Sequence, residues 1–145
     1  MYLSSQDSIE LYPDNTFTDF YVEMDREYSF QSCKNWSFAL ADMYLEGEGD
    51  IEEMREPIVV MCDLASDSYI KGRSVPILRY VPAVEEKGTS LLLPYYVGVS
   101  KAKTNRIRIT LLDKNLEGLL KNKEGRERYK DSILRCTLHF TAHHE

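Results

Sequence analysis

Three histidines, His139, His143 and His144, are the only imidazoles in the chain, and all fall within its last seven residues. Nucleophilic catalysis needs a serine or cysteine within reach of a histidine that a third group holds in place. The G-x-S-x-G turn that exposes such a serine is absent. His139 alternates with Leu138 and Phe140, which turns it towards solvent or a neighbouring chain, and His143 and His144 belong to a fraying end. Cys33, Cys62 and Cys136 form no CxxC pair and read as buried or half-buried thiols of a reducing compartment. Carboxylates are abundant, but the run Glu46–Glu56 (EGEGDIEEMRE) lacks the ligand order of an EF-hand and reads as an exposed loop. Neither a Walker loop nor a dinucleotide-type glycine loop is present. The expectation is a non-enzyme with no catalytic residue, no metal ligand and no cofactor.

The elements that must carry these residues are bounded by composition. At 145 residues the chain fits one domain, 1–145, with no linker or repeat to divide it. Apolar residues at 43% and charged residues at 29% describe an ordinary folded chain, and ten tyrosines favour strands and contact surfaces. No run approaches the ~18–20 apolar residues that span a bilayer, so no membrane is expected. The opening MYLSSQDSIELYPDN lacks the basic and apolar regions of a secretory signal, so the chain is expected inside the cell that makes it.

The net charge of −6 hides a division. Residues 1–67 carry 16 acids and 3 bases, whereas residues 68–145 carry 8 acids and 15 bases. This split fits either a solvated surface or acidic and basic faces that meet between neighbouring copies, since complementary potentials steer association. The basic clusters Lys101–Arg108 and Lys121–Lys130 raise the possibility of nucleic acid. The overall acidity, and Glu124, Glu127 and Asp131 within reach of the second cluster, argue against direct binding.

Hydrophobic alternation gives the local structure. Ile107, Ile109 and Leu111 share one face and Arg106, Arg108 and Thr110 the other, which is the pattern of a half-buried strand. Leu134, Cys136, Leu138 and Phe140 define a second such strand, and Trp36, Phe38 and Leu40 a third. Phe17–Met24, Ile58–Leu64, Val75–Val81, Leu91–Val99 and a short Ile9–Tyr12 read as further strands. Turn chemistry separates them at Pro13-Asp14-Asn15, Gly47–Asp50, Lys71-Gly72, Glu86–Gly88 and Lys123–Gly125. Pro76 and Pro94 each remove a ladder donor and mark strand starts, edges or bulges. Helical signal is confined to one turn at Ile51–Arg55 and a short helix within Asn115–Lys130, broken at Gly118 and Gly125. About eight antiparallel strands without alternating helices predict an all-β fold, a single jelly-roll β-sandwich. Tyr95-Tyr96 beside Pro94 fits either an interface or packing between the sheets.

Several segments, in order, resemble the penton-type minor capsid proteins of Maverick/Polinton elements and adintovirus-like relatives. Ser4-Ser5 with Ser8, then Tyr12-Pro13-Asp14-Asn15-Thr16 and Phe20, is similar to the family's opening. Asn35–Asp42 resembles its "W-x-V-A-L-x-E" strand, and Cys62-Asp63 followed by Pro76–Arg79 its "CD…PLLR" pair. Tyr95-Tyr96-Val97, Ile107-Arg108-Ile109 and Thr137–Phe140 resemble its closing segments. The chain departs from that pattern at Asp42, where the family has Glu, and at Gly98, where it has Pro.

The resemblance implies a jelly roll that forms a homopentamer at capsid five-fold vertices beside a double-jelly-roll major capsid protein, with the virion as its destination. Copies in a ring meet through unlike faces. Arg106, Arg108, Tyr95, Tyr96, Glu52 and Glu53 are the expected contacts between protomers. The alternative reading is a stand-alone ligand-binding β-sandwich, lectin-like or an adaptor.

Overall fold

The computed structural model describes residues 1–30, 34–47, 52–70, 72–82, 89–90, 93–120 and 123–144. The chain is all-β, with antiparallel strands in two main sheets. Sheet A runs β1 (Tyr2–Ser4), β11 (Ile133–His144), β3 (Lys34–Glu46), then β8 (Thr89–Ser90) and β9 (Val97–Gly98), both paired with β3. Sheet B runs β2 (Asp19–Ser29), β10 (Lys103–Asp113), β4 (Ile58–Cys62) and β7 (Ile77–Val81). A separate hairpin, β5 (Ser68–Ile70) and β6 (Arg73–Val75), turns at Gly72, whose φ of +73° is open to glycine at little cost.

The inner faces of both sheets share one core. Phe20, Val22, Ile58, Val60, Ile107, Ile109 and Leu111 from sheet B meet Leu3, Phe38, Leu40, Met43, Leu134, Cys136 and Leu138 from sheet A. The alternation expected of β10 and β11 is therefore the burial alternation of the structure. In β3 it slips. Thr137 faces Asp42 but Leu138 faces Leu40, so Ala41 is an extra residue, and the inward step goes from Leu40 to Met43. A bulge of this kind lets a 13-residue strand keep one apolar face while it bends.

β4 departs from alternation for a different reason. Its inner residues join the main core, while Val59 and Met61 on the outer face lie under a second cluster with Ile70, Val75, Ile77, Leu112 and Leu116. The β5–β6 hairpin supplies part of this cover. A strand apolar on both sides reads as a continuous run. In the loop after β10, Leu116 and Leu120 adopt φ of 62° and 55°, unusual for leucine, and both side chains are buried.

Three expectations are corrected. Leu91–Val99 is not one strand: Leu93–Tyr96 lie outside any strand, and only Val97–Gly98 pairs with β3. Ile9–Tyr12 is not a strand: the Ser8 carbonyl accepts the amides of both Leu11 and Tyr12, which tightens the segment into turns, and the first strand is Tyr2–Ser4. Gly125 does not break the C-terminal helix but lies within it, since α1 spans Lys123–Arg128. Pro76 stands between β6 and β7, just before the register of β4 against β7 shifts between Ile77 and Arg79, and Pro94 stands between β8 and β9. The expected turn Glu86–Gly88, Cys33, Lys121 and the stretch 48–51 lie outside the described residues.

Candidate interaction surfaces

The predicted contacts Arg106 and Arg108 project from the outer face of β10 and are engaged within their own chain. Arg108 donates two hydrogen bonds to Asp19 on β2, Nε to Oδ1 at 2.9 Å and Nη2 to Oδ2 at 2.7 Å. This paired carboxylate raises the Arg108 pKa above its ordinary value, against the opposing effect of partial burial. Arg106 and Arg108 stack over the Tyr21 ring at 4.7 and 5.1 Å. Tyr12 stacks on Tyr21 at 5.1 Å and donates its hydroxyl to Glu23 at 2.7 Å. Asp63, one residue beyond β4, accepts the Arg108 amide at 3.0 Å and the Lys101 ammonium at 3.2 Å.

These contacts give the charge division an intramolecular role. The ion pairs Arg108–Asp19, Lys101–Asp63, Lys103–Glu27 and Arg135–Glu46 each join the basic second part of the chain to the acidic first part. The topology accounts for it. β2 pairs with β10 and β3 with β11, so residues far apart in sequence lie across one ladder. Opposite charges facing across a ladder stabilise it, although exposed pairs contribute only ~0–1 kcal/mol each.

The Tyr12–Thr16 segment, prominent in the sequence, seals the edge of sheet B. β2 is a terminal strand, and the outward amide and carbonyl of Tyr21 are met by the Asn15 side chain, at 3.0 Å to Oδ1 and 2.9 Å from Nδ2. The Ser8 hydroxyl accepts the Glu23 amide at 2.8 Å, and Thr16 and Asp19 exchange backbone bonds. Exposed strand edges recruit other chains unless covered. Replacing Asn15 by alanine is expected to cost about 1–2 kcal/mol, from two hydrogen bonds of about 0.5–1.5 kcal/mol each. Hydrogen exchange would then show faster loss of the Tyr21 amide proton, while the Ile109 amide, inside sheet B, keeps its protection.

Tyr95 and Tyr96 both reach the surface, not the space between the sheets. Tyr96 hydrogen-bonds His139 Nδ1 at 2.7 Å and meets its ring edge-on, placing the pair outside sheet A. Tyr95 lines a groove of about 380 Å³ together with Tyr80, Ile70, Ile77 and Arg79, along the opposite edge of sheet B from Asn15. Tyr69 and Leu93 are exposed to 82% and Tyr95 to 67%. Arg79 reaches across it to the Leu93 carbonyl at 2.6 Å. Glu52 and Glu53 open a 3-10 turn, Glu52–Arg55; their side chains are outside the described residues.

Sequence reasoning passed over Asp19 and Tyr80, read Asn15 as part of a turn and gave Asp63 no contact of its own. Asp19-x-Tyr21-x-Glu23 on β2 offered the signal for the first, a polar face at period two matching Arg106-x-Arg108. From the second basic cluster, Arg126 and Lys130 line a cleft of about 460 Å³ that also contains Asp14, so its charge is mixed. Among the described residues, no group of three or more His, Cys, Asp or Glu comes together where it could hold a metal ion. Comparison with known proteins returns no match to any family model, curated protein or solved structure.

Proposed function

We propose that the chain is a single jelly roll that serves as a structural vertex protein of a capsid, the penton-type minor capsid protein of a Polinton- or adintovirus-like particle. The observation that carries the reading is the strand order. With β8 and β9 taken as two ends of one interrupted strand and the β5–β6 hairpin as an insertion, eight strands remain among the described residues. They pair first with last, second with seventh, third with sixth and fourth with fifth. A four-rung antiparallel ribbon of that kind, rolled so that the eighth strand meets the third and the seventh meets the fourth, supports the jelly-roll reading. The ordered resemblance along the chain points the same way.

The reading makes the molecule a homopentamer at five-fold vertices, in contact with a double-jelly-roll major capsid protein, without enzymatic activity, direct nucleic-acid binding or a membrane role. Native mass spectrometry of the isolated chain, with electron microscopy of shells co-expressed with the major coat protein, tests it. The expected result is a five-fold species, or density at the vertices that disappears when this chain is omitted. A chain that stays monomeric and is left out of shells overturns it, and saccharide binding by that monomer would favour the lectin-like alternative. Lowering the salt is expected to promote assembly, since exposed charges are screened over about 8–10 Å at ordinary ionic strength. Association unchanged from low to high salt would count against charge steering.

A further inference from the structure

We infer that the tyrosine groove along β7 is occupied by a second copy of this chain, which offers the Leu11 corner of its β2 flank. The inference rests on the ring-forming vertex reading and adds which surfaces close the ring. β2 and β7 are the two end strands of sheet B, so they lie on opposite flanks of one molecule. A ring needs unlike flanks that fit each other. The β7 flank is a groove walled by Tyr80, Tyr95, Ile70 and Ile77, with Tyr69 and Leu93 exposed nearby.

The β2 flank presents the complement. Leu11 is exposed to 66%, on a tight turn that holds it outward beside Pro13 and Asp14. Exposed Asp14 lines the pocket beside Leu11 and Arg79 lines the groove, an acid and a base that the contact brings together. Asp67, next to the groove residue Ser68, is held by the Ser74 hydroxyl at 2.8 Å. Tyrosines bury about 150–250 Å² each, so the groove residues Tyr80 and Tyr95 supply part of the ~800 Å² per partner that a stable contact needs. The backbone edge of β2 is already sealed by Asn15 and Ser8, so the contact runs through side chains and leaves sheet B discontinuous between copies.

Cross-linking tests the pairing directly. Leu11→Cys and Tyr80→Cys are each placed in a Cys33→Ser chain, where the remaining thiols, Cys62 and Cys136, are buried. Mixing the two variants under mild oxidation is expected to give a disulfide-linked dimer that neither forms alone. A chain carrying both cysteines should give a ladder that ends at a closed five-membered species. In the unmodified background, Leu11→Asp and Tyr80→Glu should each weaken association at least tenfold while leaving the unfolding transition in place, since both side chains are exposed. Links no more frequent in the mixture than in either variant alone overturn the inference. A pentamer indifferent to both substitutions overturns this interface and leaves the vertex reading standing. A chain monomeric up to about 1 mM, equivalent to less than ~4 kcal/mol of association, overturns the self-association itself; vertex occupancy in co-expressed shells then decides the vertex reading separately.

Discussion

Replacing Phe38 by alanine lowers the unfolding free energy by about 3–5 kcal/mol, the range for truncating a large buried aromatic. Phe38 is fully buried in the centre of β3 and stacks on Phe140 of β11 at 5.2 Å, with the rings 9° from parallel. Phe140 in turn stacks on Phe30, which meets Trp36 edge-on, so the cavity opens into a four-ring cluster at one end of the molecule. Aromatic pairs contribute about 0.5–1.5 kcal/mol beyond their buried area, which places Phe38 towards the upper part of that range. A domain of this size holds about 5–15 kcal/mol in total, so the variant loses a large share. Urea unfolding followed by tryptophan fluorescence measures it, because Trp36 sits in the same cluster. A loss below about 1 kcal/mol would mean that the two sheets are not packed at this point.

The second large effect is loss of stability in alkali. Burial pushes the Cys136 thiol up to about 12 and the Cys62 thiol higher still, because neither thiolate can be solvated in the core. The unfolded chain releases these protons near pH 9, the native chain does not. A group whose pKa is raised by folding stabilises fully below its unfolded pKa, and that contribution declines as pH rises through the interval up to the folded value. Each thiol therefore removes about 1.4 kcal/mol per pH unit above pH 9. The same pH scan of Cys62→Ala and of Cys136→Ala leaves every other group of the chain in place. The comparison of slopes isolates the cysteines: each variant should lose stability less steeply between pH 9 and 11. Equal slopes would refute the buried placement of that thiol. At pH 8 both native thiols should resist thiol reagents until the protein unfolds.

What could be read in the sequence was the part with a clean period. β10 from Arg106 to Leu111 and β11 from Leu134 to Phe140 alternate apolar and polar residues, and their buried faces are those that alternation predicts. β3 was legible up to Leu40; the extra residue at Ala41 became evident only from the partner strand. β1 has three residues, too few to carry a period, and the turns after it depend on partners distant in sequence. Ser5 binds the backbone of Leu134 and Ser8 that of Glu23. Nothing local to a serine announces which strand it will finish.

The charge division was visible but ambiguous. Acidic and basic stretches at opposite ends of a chain look like two faces of an assembly. In a fold where early strands lie beside late ones, the same stretches become neighbours inside one molecule. Arg106 and Arg108 accordingly meet Tyr21 and Asp19. Tyr95 and Tyr96 had two readings, packing between sheets or display, and the interruption between β8 and β9 decides for display.

The unequal ends of sheet B set a limit on how this protein can misassemble. Among the described residues, one terminal strand has its outward amides at Asp19, Tyr21 and Glu23 satisfied from within, and the other, β7, ends the sheet with no further strand beside it. If two molecules add to each other edge to edge through β7, the combined sheet then presents a sealed margin at either side. Such an accident halts at a pair and does not propagate as a fibril.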